Sequence, residues 1–456
     1  MSRAAVDART LAAFGLLAVP LASGGLPVAL YLAPFYAREL GLGLTGLGLV
    51  LTLIRLSDVV TDPLIGALSD RTPARFGRRG LWIALGVPVM AGATWAVFVP
   101  PTAPGLAYVA ISFGLLYLGW TLIGIPLGAW VAELSPDYHE RSRLSGARTW
   151  GNLLGALLAV LAPLTVVALG RAGIVPFAGA DPESLAPTLR VLACLTIALL
   201  VVSVPWLLLS VPQPQFAARG RHDLRGGLAV IAANRAFRRL LLSSVCAAVG
   251  WHAINTLFVF FATFYLGASQ AEWPLILLAY MGAQLVGTPL VVRLAPRFEK
   301  HRMVAWLSSV QIALFALVLL LPPGSWQLYA LLTMLTGLLA PVVPVLGPSM
   351  AADVIDEDEL ASGAQRGALF MALWGMADKL AVAIAAAVAL PLVELLGFDA
   401  NTGAGRDTLH LAFCFVPELF FVASVAFIWN YPLTRSRHLE VRRALEARAA
   451  GSATSW

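Results

Sequence analysis

The chain has 456 residues, of which 59% are hydrophobic and 12% charged, and its mean hydropathy is +0.81. A soluble globular chain carries about 25% charged residues, so a soluble enzyme, a nucleic-acid binder and a disordered chain are all poor readings of this one. The formal charge of +6 then becomes a question of where positive charge sits relative to a bilayer.

A membrane-spanning helix needs roughly 20 mainly apolar residues. Residues 1–9 lead straight into an apolar stretch longer than a signal-peptide core, which reads as a first membrane helix kept in the mature protein. Twelve spans are predicted. The first six cover residues 11–37, 44–69, 81–100, 106–133, 144–169 and 189–211. The second six cover residues 240–266, 273–295, 303–321, 328–352, 368–396 and 409–431. Residues 213–239 are the longest polar interruption, and residues 228–233 within it read either as a short surface helix or as plain linker. The expected fold is an all-α membrane protein of two six-helix bundles, residues 1–211 and 240–432. A linker (212–239) joins them and a tail (433–456) follows. A faint echo supports two related halves: PLIGALSDRTPARFGRR from Pro63 and PLVVRLAPRFEKHR from Pro289 both place a basic loop after an even-numbered helix.

Lys and Arg set the orientation. With the N-terminus inside, 25 of the 31 basic residues fall in loops and tails on that side and four on the other, with Arg55 and Lys379 within helices. This split predicts two cytoplasmic termini and an inner (cell) membrane location. Loops at residues 70–79, 297–302 and 353–359 are expected to pair across an inner gate, although the acidic run from Asp356 to Glu359 reads equally as a solvated turn.

An ionisable group in mid-membrane costs about 2.5–3.5 kcal/mol on insertion scales and is by default a functional candidate. In IRLSDVVTDPLIG, Asp58 and Asp62 lie four apart and so share one helix face, with Arg55 one turn earlier and Thr61 beside Asp62. Two carboxylates with hydroxyl or carbonyl oxygens make an oxygen-only site suited to Na+ or a shared proton; the bland reading is an internal Arg55–Asp58 salt bridge. Pro63 frees backbone carbonyls as further ligands. Lys379 is expected to face a central cavity and to pair with Asp58 or Asp62 when no cation is bound. Its neighbour Asp378 points about 100° away. Arg148 reads equally as a cavity residue or a loop charge, and Glu418 as a proton site or a lipid-facing or locally paired acid. His252 reads better as a satisfied core histidine. Gly146, Gly151 and Gly155 are spaced for close helix packing. Trp120, Trp251 and Trp374 sit away from helix ends and are the tryptophans expected to wall a cavity. Cys194, Cys246 and Cys414 lack metal-ligand spacing and read as packing residues. The chain shows no Walker loop and no nucleophile–His–acid set, so an enzyme is not expected and the energy source is not ATP hydrolysis. No cofactor is expected beyond a coupling ion. The expected partners are a small-molecule substrate and the lipid bilayer, with no nucleic acid, and the protein is expected to act as a monomer.

Four stretches resemble the glycoside–pentoside–hexuronide:cation symporters, the melibiose-permease branch of the major facilitator superfamily. They are RLSDVVTDPLIGALSDRTPARFGRR from Arg55, TLIGIP from Thr121, ADVIDEDELASGAQRGALFMALWGMADKLAVA from Ala352, and YPLTRSRH from Tyr431. The resemblance implies twelve helices in two pseudo-symmetric bundles and coupled uptake. It places Asp58 and Asp62 at the cation-binding acids, Thr61 at a polar position between them and Thr121 at a hydroxyl completing that site. Arg55, Arg148 and Lys379 match basic cavity positions. The sequence departs from the pattern where sugar hydroxyls would be held: Gly124 and, by an ungapped count, Ala22 stand in place of acids. Losing both removes acceptors a sugar needs and leaves room for a bulkier, more apolar substrate. The lysophospholipid symporters, also similar to this family, show that the scaffold is not confined to sugars. The expected function is cation-coupled symport of a small organic solute by alternating access. The rivals are a proton-coupled exporter of amphipathic compounds, a lysolipid-type symporter, and a non-transporting membrane component.

Overall fold

The computed structural model describes residues 7–73, 77–134, 138–173, 184–211, 234–363 and 366–453. Twelve of its helices are long and apolar enough to cross a membrane. In the N-terminal half these are α1 (Ala8–Leu30), α2 (Leu44–Arg71), α3 (Gly80–Phe98), α4 (Leu106–Leu134), α5 (Tyr138–Arg171) and α6 (Ala186–Ser210). In the C-terminal half they are α7 (Arg235–Phe260), α8 (Trp273–Leu294), α9 (Lys300–Ala316), α10 (Trp326–Ser362, broken after Leu339), α11 (Gly367–Leu395) and α12 (Arg406–Trp429). A further helix, α13 (Arg435–Ala453), follows. With an even number of crossings, both termini lie at one end of the bundle, the termini end; the other is the far end.

Helix ends depart from the sequence expectation where polar caps or charged runs extend the helix into water. α7 begins at Arg235 rather than residue 240, because the Asn234 side chain accepts the Phe237 N–H at 2.9 Å and caps the first turn. The last five residues of the expected linker are therefore helix; residues 212–233, including the possible surface helix at 228–233, lie outside the described residues. α10 runs ten residues beyond the expected 352, so the acidic run is helical rather than a turn, and Gly363 ends it with φ of +69°. The expected tail contains α13, which charged contacts seat against the end of α10. His438 lies 3.0 Å from Asp356 and 3.5 Å from Asp353, Arg442 3.7 Å from Asp356, and Arg437 3.9 Å from Glu357.

The two halves repeat a device that the sequence echo does not show. α1 continues through Leu32–Pro34 into a π-helical turn, Phe35–Glu39, and α7 into another, Phe261–Tyr265. Each is closed by a backbone bond six residues back, from Leu42 to Tyr36 and from Ala268 to Ala262. Each is followed by a glycine with positive φ, Gly41 and Gly267.

Within the N-terminal half α1 packs on α5 through glycines. A Cβ at Gly151 would sit 2.0 Å from the Gly15 carbonyl oxygen, and one at Gly155 2.3 Å from that of Val19. Gly146, expected to serve the same purpose, has open space around it. Between the halves, α2 lies along α11. Gly48 of α2 backs onto Ala386 and Leu390, and Thr52 Oγ1 is 3.3 Å from the Ala383 carbonyl. At the far end the Thr45 N–H donates to Glu394, and Tyr31 meets Trp273 edge-on at 5.2 Å. The same helix faces part toward the termini end. Gly48, Ala383 and Leu390 are buried, whereas Val59 and Pro63 of α2 and Ala372 and Met376 of α11 are exposed. A cleft between the halves thus opens at the termini end and closes at the far end.

Replacing Gly151 by Ala is expected to cost about 1–3 kcal/mol through overpacking against the α1 backbone, while Gly146→Ala is near neutral. Thermal unfolding of the two purified variants checks this, and equal midpoints would refute the α1–α5 contact.

Candidate cation and solute site

The site is built on α2 and α4 and completed by α11. Arg55, Asp58 and Asp62 follow one another at one-turn intervals on α2, so their side chains share a face. Asp58 is 3% exposed, and the Asp62 side chain 16%. Two carboxylates at this depth need positive charge close by. Lys379 supplies it from α11: its Nζ contacts Asp62 Oδ2 directly and lies 3.7 Å from Asp58 Oδ2. Arg55 stands 3.6 Å from Asp58 Oδ2 on the other side. Two acids and two bases balance, and the balance is struck across the interface between the halves.

α4 supplies the polar and aromatic wall. Thr121 Oγ1 donates to Asp62 Oδ1 at 2.9 Å. One turn earlier, the Tyr117 ring carries the Arg55 guanidinium 4.0 Å above its centre, a cation–π contact that fixes Arg55 beside Asp58. Trp120 is half-buried, stacks on Tyr117 at 6.0 Å and covers Gly25 of α1. Gly124, one turn beyond Thr121, faces open space. Tyr117 was not singled out in the sequence; its signal is the one-turn spacing that sets Tyr117, Thr121 and Gly124 on one face of α4.

The other sequence candidates are more scattered. Thr61 is half-buried on α2, with no side-chain partner among the described residues. Pro63 does not break α2, which is continuous to Arg71. Arg148 is half-buried on α5, also without a partner among the described residues. Asp378 is exposed and leaves Lys379 to the α2 acids. His252 is half-buried on α7. Trp374 is half-buried against Gly347, within the C-terminal half. Trp251 belongs to a separate pocket in that half, between Tyr280 and Phe421. Ala22 packs on Gly155 at the α1–α5 crossing, which ties its small size to helix packing. Glu418 on α12 has a buried Oε2 with no hydrogen-bond partner among the described residues. The cleft is open at the termini end, so pairing of loops across a closed inner gate does not arise in this state, and the described pairs of these loops stay within one half. Arg78 and Arg79 hold Asp70 at 3.3 and 2.6 Å, Lys300 holds Asp353 at 2.6 Å and Arg366 holds Asp358 at 3.2 Å, each within its own half.

Residues 13–435 match the family described as MFS/sugar transport protein. The chain belongs to this family. Its members are membrane transporters, so the protein is a multi-pass transporter of a small molecule and not an enzyme. It is 21% identical to a glucuronide carrier protein homologue of Escherichia coli, over 91% of this chain and 90% of that one. It is 22% identical to sodium-dependent lysophosphatidylcholine symporter 1-B of Danio rerio, over 92% and 84%. Among solved structures it resembles a bacterial homologue of the human lysosomal transporter Spinster in an inward-facing, unoccupied conformation. The TM-score there is 0.66 and the identity 15%, covering 96% of each chain, a likeness of fold.

Lys379→Met is expected to destabilise this transporter by roughly 1–3 kcal/mol, less than the ~3–5 kcal/mol for breaking a fully buried pair, because the Lys379 side chain is 32% exposed. Adding Asp62→Asn should restore part of the loss. A double-mutant cycle on unfolding in detergent measures the coupling, and strict additivity would count against a Lys379–Asp62 bond.

Proposed function

We propose that the protein is a cation-coupled symporter of a small organic solute, with Asp58 and Asp62 as the cation-binding acids. The observation that carries the reading is the position of the Lys379 ammonium group: it occupies the place a coupling cation would take between the two carboxylates, and it comes from the opposite half. A Na+ ion or a proton entering the pair replaces Lys379 as counter-charge. The Thr121 hydroxyl, freed from donating to Asp62, can turn a lone pair toward the ion. Losing its partner, Lys379 is released from α2 along the very interface that joins the halves. Cation occupancy then biases how α2 and α11 meet, which is how a bound ion shifts an alternating-access equilibrium.

With both termini in the cytoplasm, as the Lys and Arg distribution supports, the cleft at the termini end makes this an inward-facing state. A single chain contains both halves, which fits action as a monomer in the inner membrane. The missing acids at Ala22 and Gly124 argue against sugar binding in the manner of melibiose permease. Lys379, once released, and Arg148 suit an anionic group on the solute. Proton-coupled export of amphipathic compounds is the second reading, favoured by the buried Glu418 Oε2, which has no hydrogen-bond partner among the described residues.

Uptake into proteoliposomes under an imposed sodium or proton gradient tests the proposal. One gradient should drive accumulation, and Asp58→Ala or Asp62→Ala should lower it about a hundredfold, equivalent to ~3 kcal/mol of lost ion binding. Uptake indifferent to both gradients, or unchanged in both variants, overturns coupling at this site. Extrusion against the gradient would support the exporter.

A further inference from the structure

The C-terminal half contains a polar cavity at the termini end, away from the coupling site. It lies between the start of α9, α10 near Asp353, the residues that follow α12 and the first turns of α13. Its volume is about 240 Å3, enough for a small polar group and below the size of a drug-sized ligand site. Buried Met350 and Leu433 line it, and Phe298 and Leu439 add exposed apolar surface at its margin. Its two carboxylates are already met. Lys300 Nζ donates to Asp353 Oδ2 at 2.6 Å, and His438 Nε2 lies 3.5 Å from Asp353 Oδ1. Glu299 Oε2 accepts the Arg435 N–H at 3.0 Å, with His301 Nδ1 3.8 Å away.

What remains on the cavity wall are donors. Tyr431 is 5% exposed, and its buried hydroxyl has no hydrogen-bond partner among the described residues. The Arg435 guanidinium is held by the Pro296 carbonyl at 2.8 Å and has no carboxylate partner among the described residues. α9 starts at Lys300 without a side-chain cap, which leaves first-turn N–H groups and the positive end of the helix dipole at the cavity. A buried hydroxyl without an acceptor is a standing cost in stability. A phosphoryl group presents three acceptor oxygens in three directions, matching a hydroxyl, a guanidinium and a helix start. A carboxylate presents two oxygens in one plane. Glu299 and Asp353 oppose an anion here, and their bonds to the Arg435 N–H and to Lys300 are what limits that repulsion.

We propose that this cavity binds a phosphoryl group, held by the Tyr431 hydroxyl, the Arg435 guanidinium and the N-terminus of α9. The group is carried by a phospholipid of the adjoining leaflet or by a soluble phosphate ester. The exposed Phe298 and Leu439 side chains offer contact to the acyl chains in the first case. All the lining residues belong to the C-terminal half and its tail helix, so the site stands apart from the cation reading. Occupancy would tie α13 to the start of α9 through one ligand.

The test uses the full-length protein in detergent and follows its unfolding temperature. Glycerol 3-phosphate probes for a soluble ester, against sodium chloride at equal ionic strength. Dihexanoyl phosphatidic acid probes for a lipid, against dihexanoylglycerol. A saturable rise with a phosphate probe, and none with its phosphate-free match, is expected. A rise with glycerol 3-phosphate assigns a soluble ester, and a rise with phosphatidic acid alone assigns a lipid. Tyr431→Phe and Arg435→Gln should each weaken binding about tenfold. Without ligand, Tyr431→Phe should unfold no lower than the unmodified protein, since the hydroxyl it removes has no partner; a merely structural hydroxyl would lower it. No saturable rise with either probe, or equal affinity in the unmodified protein and both variants, overturns the proposal. So does a fall in unfolding temperature in Tyr431→Phe with binding unchanged.

Discussion

The Asp58–Asp62 pair sets the terms for the rest of the molecule. At 4 Å and an effective dielectric of about 20, one opposite charge returns ~4 kcal/mol, of the order of the cost of placing an acid at mid-membrane. Arg55 can serve only Asp58, its neighbour one turn away on α2. The second positive charge must come from elsewhere, and it comes from Lys379 on α11. The helix that carries the acids is therefore bound electrostatically to the helix of the other half that carries the base. That is why the middle of the interface between the halves is an ion pair rather than a packed apolar seam.

Toward the far end the same two helices meet by a different physics. Gly48 against Ala386, with Ala383 nearby, lets the backbones approach, and Thr52 shares its hydroxyl between its own helix and α11. Small side chains and one threonine make a contact that can separate without stranding a charge. Glu394 on the α2 N-terminus adds a carboxylate where the helix dipole favours one. Below Asp62 the faces part. The seam is thus graded, reversible packing at the far end, charge in the middle and open cleft at the termini end. In the proposed reading, a cation at the middle acts at the fulcrum between the two outer zones.

Hydrophobic length showed the twelve spans because a bilayer imposes a single ruler on every helix. It missed the ends where charge carries a helix past the membrane: the acidic run of α10 stays helical because its side chains reach His438, Arg437 and Arg442 of α13. The π-helical turns were invisible because they change the hydrogen-bonding count, not the hydropathy. In the site, Asp58, Asp62 and Lys379 stood out in sequence because charge in a membrane is conspicuous, and the structure brings them together. Tyr117 did not stand out, since an aromatic in an apolar helix carries no such mark until a guanidinium is found above it.

The charges of the site fall on different sides of the seam. The N-terminal half holds both acids and Arg55, and the C-terminal half reaches them across the seam with Lys379, as it reaches the α2 N-terminus with Glu394. Coupling of ion and solute has to pass through the way the halves meet, because the counter-charge that an ion displaces belongs to the other half. Linkage then requires that the solute strengthen cation binding by the same factor as the cation strengthens solute binding. The element able to carry that factor is the α2–α11 seam, because Asp62 and Lys379 lie on it and both halves must close along it.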